Sequence, residues 1–468
     1  MARDFSPVSR FFHEELDTAI PQMESLLAEE ANRSSNQQLN GQMGAMPDLS
    51  SSFTPHPGAG VPTPPPSDIH VPAPPIAAPR KDSLAAILHA GSLASPPFIP
   101  PNLPPITLSV PYRDIKRYSY TQVNMADSIS LFAPIWQQGD PIVVTGCLEH
   151  FRIDWTPDYF IQNFGDQTCI IIECQEENNM RVTVRQFFEM FGRYNDRKEC
   201  WKLKDWPPST DFRTAFPELY RDFSNAVPVP DYVRRDGVAN IGSHFPVNTV
   251  APDLGPKMYN ALASTLSEGS KGTTRLHMDM ADAVNVMTYA ENSPDGSPGC
   301  AAWDLFRACD SDKLRHFLND RFAKQSTDPI HAQNYYLDEQ LRKELYDKYQ
   351  VTSYRVYQRP GEAVFIPAGC AHQVANLADC IKVAIDFVSV ENIGRCESLT
   401  KEFRDLNQKL LWKEDVLQLR TMMWFAWLST GVWEKGGSRE SVVSSGEEEG
   451  GLSGKRKGKG RKKGVGSA

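Results

Sequence analysis

A series of short apolar segments, beginning near residue 115, constrains the fold of this chain most strongly. Each segment is roughly four to eight residues long, is rich in Val, Ile and Tyr, and is bounded by Gly, Pro, Asn or Asp, as is typical of β-strands. The segments are PIVVTGCL, TCIIIECQ, RVTVRQFFEMF, NVMTYA, AAWDLFRA, VTSYRVYQ, EAVFIPAG and CIKVAIDFVSV. Helical stretches are SDKLRHFLNDRFA, LDEQLRKELYDKY and KEDVLQLRTMMWFAWLS. Many short strands with a few flanking helices predict a mostly β (α+β) domain, a barrel or sandwich decorated by helices.

The two ends of the chain have a different composition. Residues 8–31 predict an amphipathic helix, interrupted at Pro21, which is either a partner-binding helix or a transient helix in a disordered arm. Residues 32–107 are rich in Ser, Asn, Gln and Pro and cannot bury enough apolar surface to fold. We therefore predict a disordered arm over 1–110, a folded domain over 111–432 with its core at 240–395, and a disordered basic tail over 433–468. The apolar last helix is expected to dock on the domain or on a partner subunit.

Composition excludes several classes of protein. The net charge of −9, from 58 acidic and 49 basic residues, is not that of a nucleic-acid-binding protein as a whole, although the basic tail GKRKGKGRKKGVGSA suits nuclear import, weak DNA contact or simple solvation. Nine cysteines without a CxxC pair suit a reducing compartment. The N-terminus is too charged for a secretory signal. The sequence has no run of about eighteen apolar residues, so we predict no membrane span.

Two sequence motifs carry candidate chemistry. In TRLHMDMADAVNVMTY, His277 and Asp279 would point to one face of a strand, either as metal ligands or as a hydrogen-bonded pair. In GEAVFIPAGCAHQVAN, residues 361–376, the spacing G-x5-P-x-G-x2-H-x3-N resembles the second motif of the cupin double-stranded β-helix, whose histidine binds metal. Two histidines and a carboxylate form the facial triad of non-haem Fe(II) oxygenases, so we predict that His372 joins the first pair. His331 is an alternative third ligand, although its position before a helix favours a structural role.

Lys382 lies in the apolar segment CIKVAIDF. A buried lysine is costly unless it is paired. It either reaches an edge of the sheet or binds the distal carboxylate of 2-oxoglutarate, because its position after His372 resembles that of the basic residue in many 2-oxoglutarate oxygenases. Thr274 and Asn285 are further candidates for hydrogen bonds to the same co-substrate, or are ordinary polar residues of strands.

Together these motifs resemble a JmjC (jumonji C) domain, and more closely the subgroup of demethylases that act on mono- and dimethylated lysine 9 of histone H3. The resemblance runs from about residue 130 to 430 and keeps the order of the motifs. The matching segments are LKDWPPSTDFRTAFPELY, DYVRRDGVANIGSHFP, PDLGPKMYNA, GTTRLHMDMADAVNVM, DPIHAQNYYLDEQLRKEL, VFIPAGCAHQVANLADCIKVAIDFVS and LTKEF.

The resemblance implies a nuclear dioxygenase that uses Fe(II), 2-oxoglutarate and O2. It would hydroxylate an N-methyl group of histone H3 in chromatin and release formaldehyde, within a transcription-regulatory complex. It further implies that His277, Asp279 and His372 bind the iron and act in catalysis, and that Thr274 and Lys382 bind the co-substrate. A JmjC protein hydroxylase, a non-catalytic chromatin scaffold and a zinc-binding cupin stay open as alternatives, as does a homodimer.

The chain departs from this subgroup in three ways. Larger animal members carry a zinc-finger region upstream of the catalytic domain, where this chain has a Pro-rich arm. The segment AENSPDGSPGC, residues 290–300, is shorter than the usual insert, and Ile385 stands where an acidic residue is usual. None of these changes removes a predicted iron ligand.

Overall fold

The computed structural model describes residues 13–42, 110–124, 128–195, 197–204, 206–207, 211–246, 249–322, 327–406 and 417–434. The basic tail and most of the Pro-rich linker lie outside these residues. The chain divides into two compact units, residues 1–76 and 77–468. In the first unit the described residues form one helix, α1 (His13–Gln42). It runs through Pro21, so the predicted interruption is wrong: the ring removes one helical hydrogen bond without ending the helix.

The described residues of the second unit form thirteen strands. Their bounds are β1 Lys116–Ser119, β2 Ile142–Thr145, β3 Thr168–Glu173, β4 Asn179–Thr183, β5 Trp201–Lys204, β6 Lys257–Ala261, β7 Thr274–His277, β8 Asp282–Ala290, β9 Ala301–Leu305, β10 Tyr354–Gln358, β11 Ala363–Ile366, β12 His372–Asn376 and β13 Cys380–Phe387. The predicted strand RVTVRQFFEMF is only partly right, because β4 ends at Thr183 and the hydroxyl of Thr183 caps a short helix that follows it.

Eleven α-helices of the described residues belong to this unit. They are α2 Tyr120–Val123, α3 Ser128–Trp136, α4 Pro157–Phe164, α5 Val184–Phe188, α6 Phe212–Ala215, α7 Pro217–Ala226, α8 Pro230–Val233, α9 Ser311–Arg321, α10 Glu339–Tyr349, α11 Ile393–Leu406 and α12 Leu419–Glu434. Short 3-10 helices lie at Leu148–His150, Ile241–His244 and Ala308–Asp310. No helix of the described residues is both long and apolar enough to cross a membrane.

The strands form two sheets that pack face to face. The larger has the order β1-β2-β11-β8-β13-β6-β5-β3-β4 and the smaller β10-β9-β12-β7. Buried residues of both sheets share one apolar cluster, in which Met287 and Val364 of the larger sheet meet Trp303 and Val356 of the smaller. The four strands β11, β8, β13 and β6 thus oppose the four strands of the small sheet, which is the double-stranded β-helix of cupins. The predicted fold class is confirmed.

Helices cover the other face of the large sheet. There Trp136 of α3 packs against Phe365 of β11 and Phe387 of β13. Along β13 the apolar residues Ile381, Val383, Ile385 and Phe387 point to this helical layer. Because side chains alternate along a strand, the residues between them point to the inside of the β-helix.

A third apolar cluster lies beside the small sheet. It joins Leu276 and Met278, which flank His277, to helices α9, α10 and α12. In α12 the buried Met422 belongs to this cluster together with Ile241, and Phe425 contacts Phe245 at a ring-centroid distance of 5.4 Å. The prediction that the apolar last helix docks on the domain is confirmed.

Candidate metal centre

One cavity lies between the two sheets, and it encloses about 560 Å³ including its open mouth. All six site residues that the sequence predicts line it: Thr274, His277, Asp279, Asn285, His372 and Lys382. They come from β7, the loop after it, β8, β12 and β13. Both sheets therefore contribute to a single chamber at one end of the β-helix.

Strand register explains which residues of the large sheet reach the chamber. Ala384 of β13 pairs with Asn285 of β8 and with Lys257 of β6, and Lys382 pairs with Tyr259. Directly paired residues of antiparallel strands point to the same face. Since Ile381, Val383 and Ile385 face the helices, Lys382 and Ala384 face the chamber.

His277 and His372 are directly paired across β7 and β12. Their ring centroids lie 4.2 Å apart. The strand ends at His277, so Asp279 reaches the pair from the following loop rather than from the same strand face, as the sequence pattern suggested. Its carboxylate lies 3.9 Å from His277 Nε2 and 3.6 Å from His372 Nε2.

Backbone carbonyls orient both rings. The Nδ1 atom of His277 lies 2.8 Å from the carbonyl of Arg275, and Nδ1 of His372 lies 3.0 Å from the carbonyl of Cys370. A carbonyl only accepts hydrogen bonds, so each Nδ1 carries a proton, and in the neutral form of each ring the lone pair is on Nε2. Burial, and then the nearby His277, lowers the pKa of His372 to about 4, so this ring is neutral at neutral pH. Such an arrangement is the one that metal-binding histidines adopt.

The two loops that carry these side chains are tied together by hydrogen bonds. The backbone N–H of Gly369 donates to the carbonyl of Asp279 at 3.2 Å. The fully buried carboxylate of Asp282 accepts from the N–H of Ala368 at 2.8 Å, from Asn392 Nδ2 at 2.8 Å and from Ser389 Oγ at 2.5 Å. Asp282 thus connects the start of β8 to the turn before His372, and this connection determines the spacing of the three donor groups.

Lys382 lies at the inner end of the chamber. Only 4% of the residue is exposed. Its ammonium donates to Asn376 Oδ1 at 2.5 Å and lies 6.0 Å from the ring centroid of Trp303, and no carboxylate of the described residues pairs with it. Burial lowers the pKa of Lys382 to about 8. A buried ammonium whose strongest contact is a neutral amide is suited to an acidic ligand.

Asn285 and Thr274 lie on opposite walls of the chamber. The side-chain oxygen of Asn285 is buried and accepts no hydrogen bond from the described residues. Thr274 begins β7, and its neighbour Thr273 donates to the carbonyl of Val374. A buried oxygen without a donor indicates that a further polar group belongs in this chamber.

The chamber also includes residues that sequence reasoning missed. Lys202 of β5 donates to the carbonyl of Thr273 at 2.9 Å. No pattern in the segment WKLK predicts that Lys202 points into the chamber, because β5 joins the sheet by pairing with strands that are distant in sequence. Asp386 lies four residues after Lys382 on the same face of β13. Because side chains alternate along a strand, this spacing could have indicated that Asp386 also faces the chamber. Burial, and then the negative charge of Asp279, raises the pKa of Asp386 to about 7.

Ile385, the position that departs from the subgroup, lies outside the chamber. It is 3% exposed and packs among the apolar residues beneath the helices. This departure therefore leaves the lining of the chamber unchanged.

A second cluster of Asp328, His331 and Glu402 also has its ligand atoms within 4.8 Å of one another. Here the guanidinium of Arg315 donates to Asp328 at 2.6 Å and to Glu402 at 2.5 Å, and His331 contacts Glu402 at 2.9 Å. The arginine already bridges both carboxylates, so this cluster is an ion-pair network. His331 does not line the chamber, and it therefore does not join His277 and Asp279.

Comparison with known proteins agrees with this geometry. Residues 270–387, which contain β7 to β13, match the family model described as "JmjC domain, hydroxylase". Similar proteins include lysine-specific demethylase 3A of Rattus norvegicus, 38% identical over 65% of this chain and 29% of the rat protein. Lysine-specific demethylase 3 of Drosophila melanogaster is 39% identical over 64% of this chain and 40% of the fly protein.

A more distant relative is the human probable JmjC domain-containing histone demethylation protein 2C, 31% identical over 63% of this chain and 13% of that protein. This chain thus spans less than half the length of these curated relatives. The matched residues 270–387 nevertheless include strands of both sheets and all six predicted residues of the chamber. Residues 270–387 therefore match a JmjC domain, and 64–65% of this chain is similar to lysine-specific demethylase 3 proteins of rat and fly.

Proposed function

We propose that this protein is an Fe(II)- and 2-oxoglutarate-dependent dioxygenase that demethylates histone lysine, with mono- and dimethylated lysine 9 of histone H3 as its substrate. The observation that carries this proposal is the convergence of His277, Asp279 and His372 at one end of a JmjC β-helix. The names of the similar proteins support lysine as the target. The resemblance of the sequence to the mono- and dimethyl-lysine subgroup supports the methylation state.

The donor set fits iron. Two neutral imidazole nitrogens and one carboxylate, all from one side, match the facial triad that leaves positions open for other ligands. His277, Asp279 and His372 would hold the ion. When bound, iron and 2-oxoglutarate activate O2 and supply the oxidation of an N-methyl group, which then leaves as formaldehyde.

The rest of the chamber fits a dicarboxylate. Lys382 would bind the distal carboxylate of 2-oxoglutarate and so gain the anionic partner that its burial requires. The side-chain N–H groups of Asn285 and the hydroxyl of Thr274 would donate hydrogen bonds to the same molecule. The apolar wall formed by Val374 and Ile366 would exclude water from the reacting groups.

Chromatin is the expected location of such an activity. We propose that the protein acts in the nucleus on the tail of histone H3, within a transcription-regulatory complex. The basic segment GKRKGKGRKKGVGSA would serve nuclear import or weak contact with DNA phosphates. These statements depend on the proposed substrate.

The test is a mass-spectrometric assay. The full chain is loaded with Fe(II) without oxygen and then given 2-oxoglutarate, O2 and histone H3 peptides that carry zero to three methyl groups on lysine 9 or on other lysines. Asp279→Ala is the inactive variant. Asp166→Ala, at a fully exposed position outside the chamber, is the matched control.

Loss of methyl groups from lysine 9 peptides with the native chain and Asp166→Ala, but not with Asp279→Ala, is the expected result. Loss of methyl groups from another lysine would contradict lysine 9 as the target but would still support the demethylation reaction. A gain of one oxygen would instead identify a protein hydroxylase. No change in mass despite bound iron and 2-oxoglutarate would overturn the proposal in favour of a non-catalytic scaffold.

A further inference from the structure

Asp386 is a carboxylate at the chamber mouth that the proposed reaction leaves without a role. Its side chain is 27% exposed, and its backbone N–H donates to the carbonyl of Leu254. The ammonium of Lys257 lies 3.8 Å away, which is long for a hydrogen bond. In the part of the chain that the structure describes, no group donates a hydrogen bond to this carboxylate. A largely buried carboxylate without a donor is costly, so a cationic ligand is its natural complement.

The position of Asp386 along β13 separates it from the co-substrate. Lys382 and Asp386 lie on the same face, four residues and therefore about 14 Å apart along the strand. Lys382 is at the buried end, whereas Asp386 is beside Asp279, whose side chain is 36% exposed. A molecule that enters from solvent thus reaches Asp386 and the three donor groups before it reaches Lys382.

A surface groove borders the chamber along β6. The groove is lined by Trp206, Phe212, Asp253, Pro256 and Lys257, and it shares Lys202 and Tyr259 with the chamber. The border runs along β6 from Lys257, the ion-pair partner of Asp386, to Tyr259, which pairs with Lys382. A peptide in the groove would therefore send a long side chain past Asp386 toward His277 and His372.

We propose that Asp386 binds the ammonium group of the substrate lysine and selects its methylation state. This inference rests on the proposed function and names the residue that recognises the substrate. The ammonium groups of mono- and dimethyl-lysine keep an N–H, which can donate to the carboxylate. Trimethyl-lysine has the same charge but no N–H, so it gains only the charge attraction. A charge-assisted hydrogen bond at this position favours the lower methylation states.

Lys257 provides a test of this role. Its ammonium lies beside Asp386 in the free protein, and it must give way when a substrate cation binds. Removing Lys257 should therefore strengthen binding of the substrate, whereas removing the charge of Asp386 should weaken it. If Asp386 served only to hold Lys257, the two substitutions would have the same effect.

The experiment measures binding rather than turnover. The full chain, loaded with Mn(II) and 2-oxoglutarate without oxygen, is titrated into fluorescent histone H3 peptides with zero to three methyl groups on lysine 9. We expect Asp386→Asn to weaken binding of the mono- and dimethyl peptides by about ten-fold. The ratio of their affinities to that of the trimethyl peptide should become smaller. We expect Lys257→Met to strengthen binding by about two- to five-fold. Both variants should still bind Mn(II) and 2-oxoglutarate.

Three results would overturn the inference. Equal weakening by both substitutions would assign Asp386 a structural role. Unchanged peptide affinity in an Asp386→Asn protein that still binds Mn(II) and 2-oxoglutarate would exclude Asp386 from recognition while leaving the proposed function intact. Absence of binding by the native chain to every lysine peptide would reject the proposed substrate, and this inference with it.

Discussion

His277 and His372 lie opposite each other as a directly paired couple of β7 and β12, with Asp279 3.6 Å from His372 Nε2. Hydrogen bonds between the backbones of two neighbouring strands thus bring together two rings that are far apart in sequence. Each ring is oriented by a carbonyl two residues before it. The geometry of the candidate centre therefore depends on the register of one strand pair.

Asp279→Ala is expected to weaken Fe(II) or Co(II) binding by more than about 100-fold, because loss of even an outer-shell partner costs about 10- to 100-fold. Metal titration followed by absorbance of Co(II) measures this. Glu402→Gln, in the cluster of Asp328, His331 and Glu402, is the matched control and should keep full metal affinity. Full metal affinity in Asp279→Ala, together with weakened affinity in Glu402→Gln, would place the metal in that second cluster.

Lys382→Met should abolish 2-oxoglutarate binding yet stabilise the ligand-free protein by about 2 kcal/mol at pH 7, because it removes an unpaired buried charge. Burial lowers the pKa of Lys382 from 10.5 to about 8, so the unfolded chain binds this proton more tightly. The cost of burial is complete below pH 8 and disappears as the pH rises toward 10.5. The stability difference between the variant and the native protein should therefore shrink between pH 7 and pH 10.

Urea unfolding at both pH values, with and without 2-oxoglutarate, checks this prediction. The exposed Lys348→Met serves as the control and should change neither stability nor the response to 2-oxoglutarate. A variant at Lys382 that is still stabilised by 2-oxoglutarate would show that this lysine does not bind the co-substrate.

Asp282→Ala is expected to lower the free energy of unfolding by roughly 3 kcal/mol or more. The substitution leaves buried donors of Ala368, Ser389 and Asn392 without an acceptor, and each such loss costs about 1–3 kcal/mol. Because Asp282 ties β8 to the turn before His372, metal affinity should fall as well. Chemical denaturation and metal titration are the measurements, and unchanged metal affinity in a folded variant would contradict the positioning role.

Gly272→Ala should destabilise the entry to β7 by more than Gly296→Ala does. Both glycines have positive φ angles, +60° and +81°. A Cβ at Gly272 would lie 2.6 Å from the carbonyl oxygen of Val374 and 2.5 Å from the ring of Tyr336, whereas a Cβ at Gly296 meets nothing within 4 Å. The strain of φ, about 1–2 kcal/mol, is common to both.

The difference between the two alanine variants in urea unfolding therefore isolates the steric conflict beside Thr274. Equal destabilisation would mean that Tyr336 and the β7–β12 pair can move apart at no cost. Reduced metal affinity in Gly272→Ala alone would show that the entry to β7 also positions His277.

Local signals predicted much of the β-helix correctly. The apolar segments around Val143, Val286 and Val364 are strands because β-branched residues suit a sheet that is covered on both faces. The segment after Arg181 was mistaken for one long strand, because a Thr–Gln capping box that starts a helix lies within an apolar run. Pro21 was likewise expected to interrupt α1, which continues through it.

The sequence by itself determined the candidate residues, since fixed spacing within each motif marks His277, Asp279, His372 and Lys382 for the proposed chemistry. Only the tertiary structure decided which distant residues join them. Lys202 reaches the chamber because β5 pairs with β6, and Asp386 meets Lys257 because β13 pairs with β6 in one register. Such pairings depend on hydrogen bonds between segments far apart in the chain, which no local pattern of residues specifies.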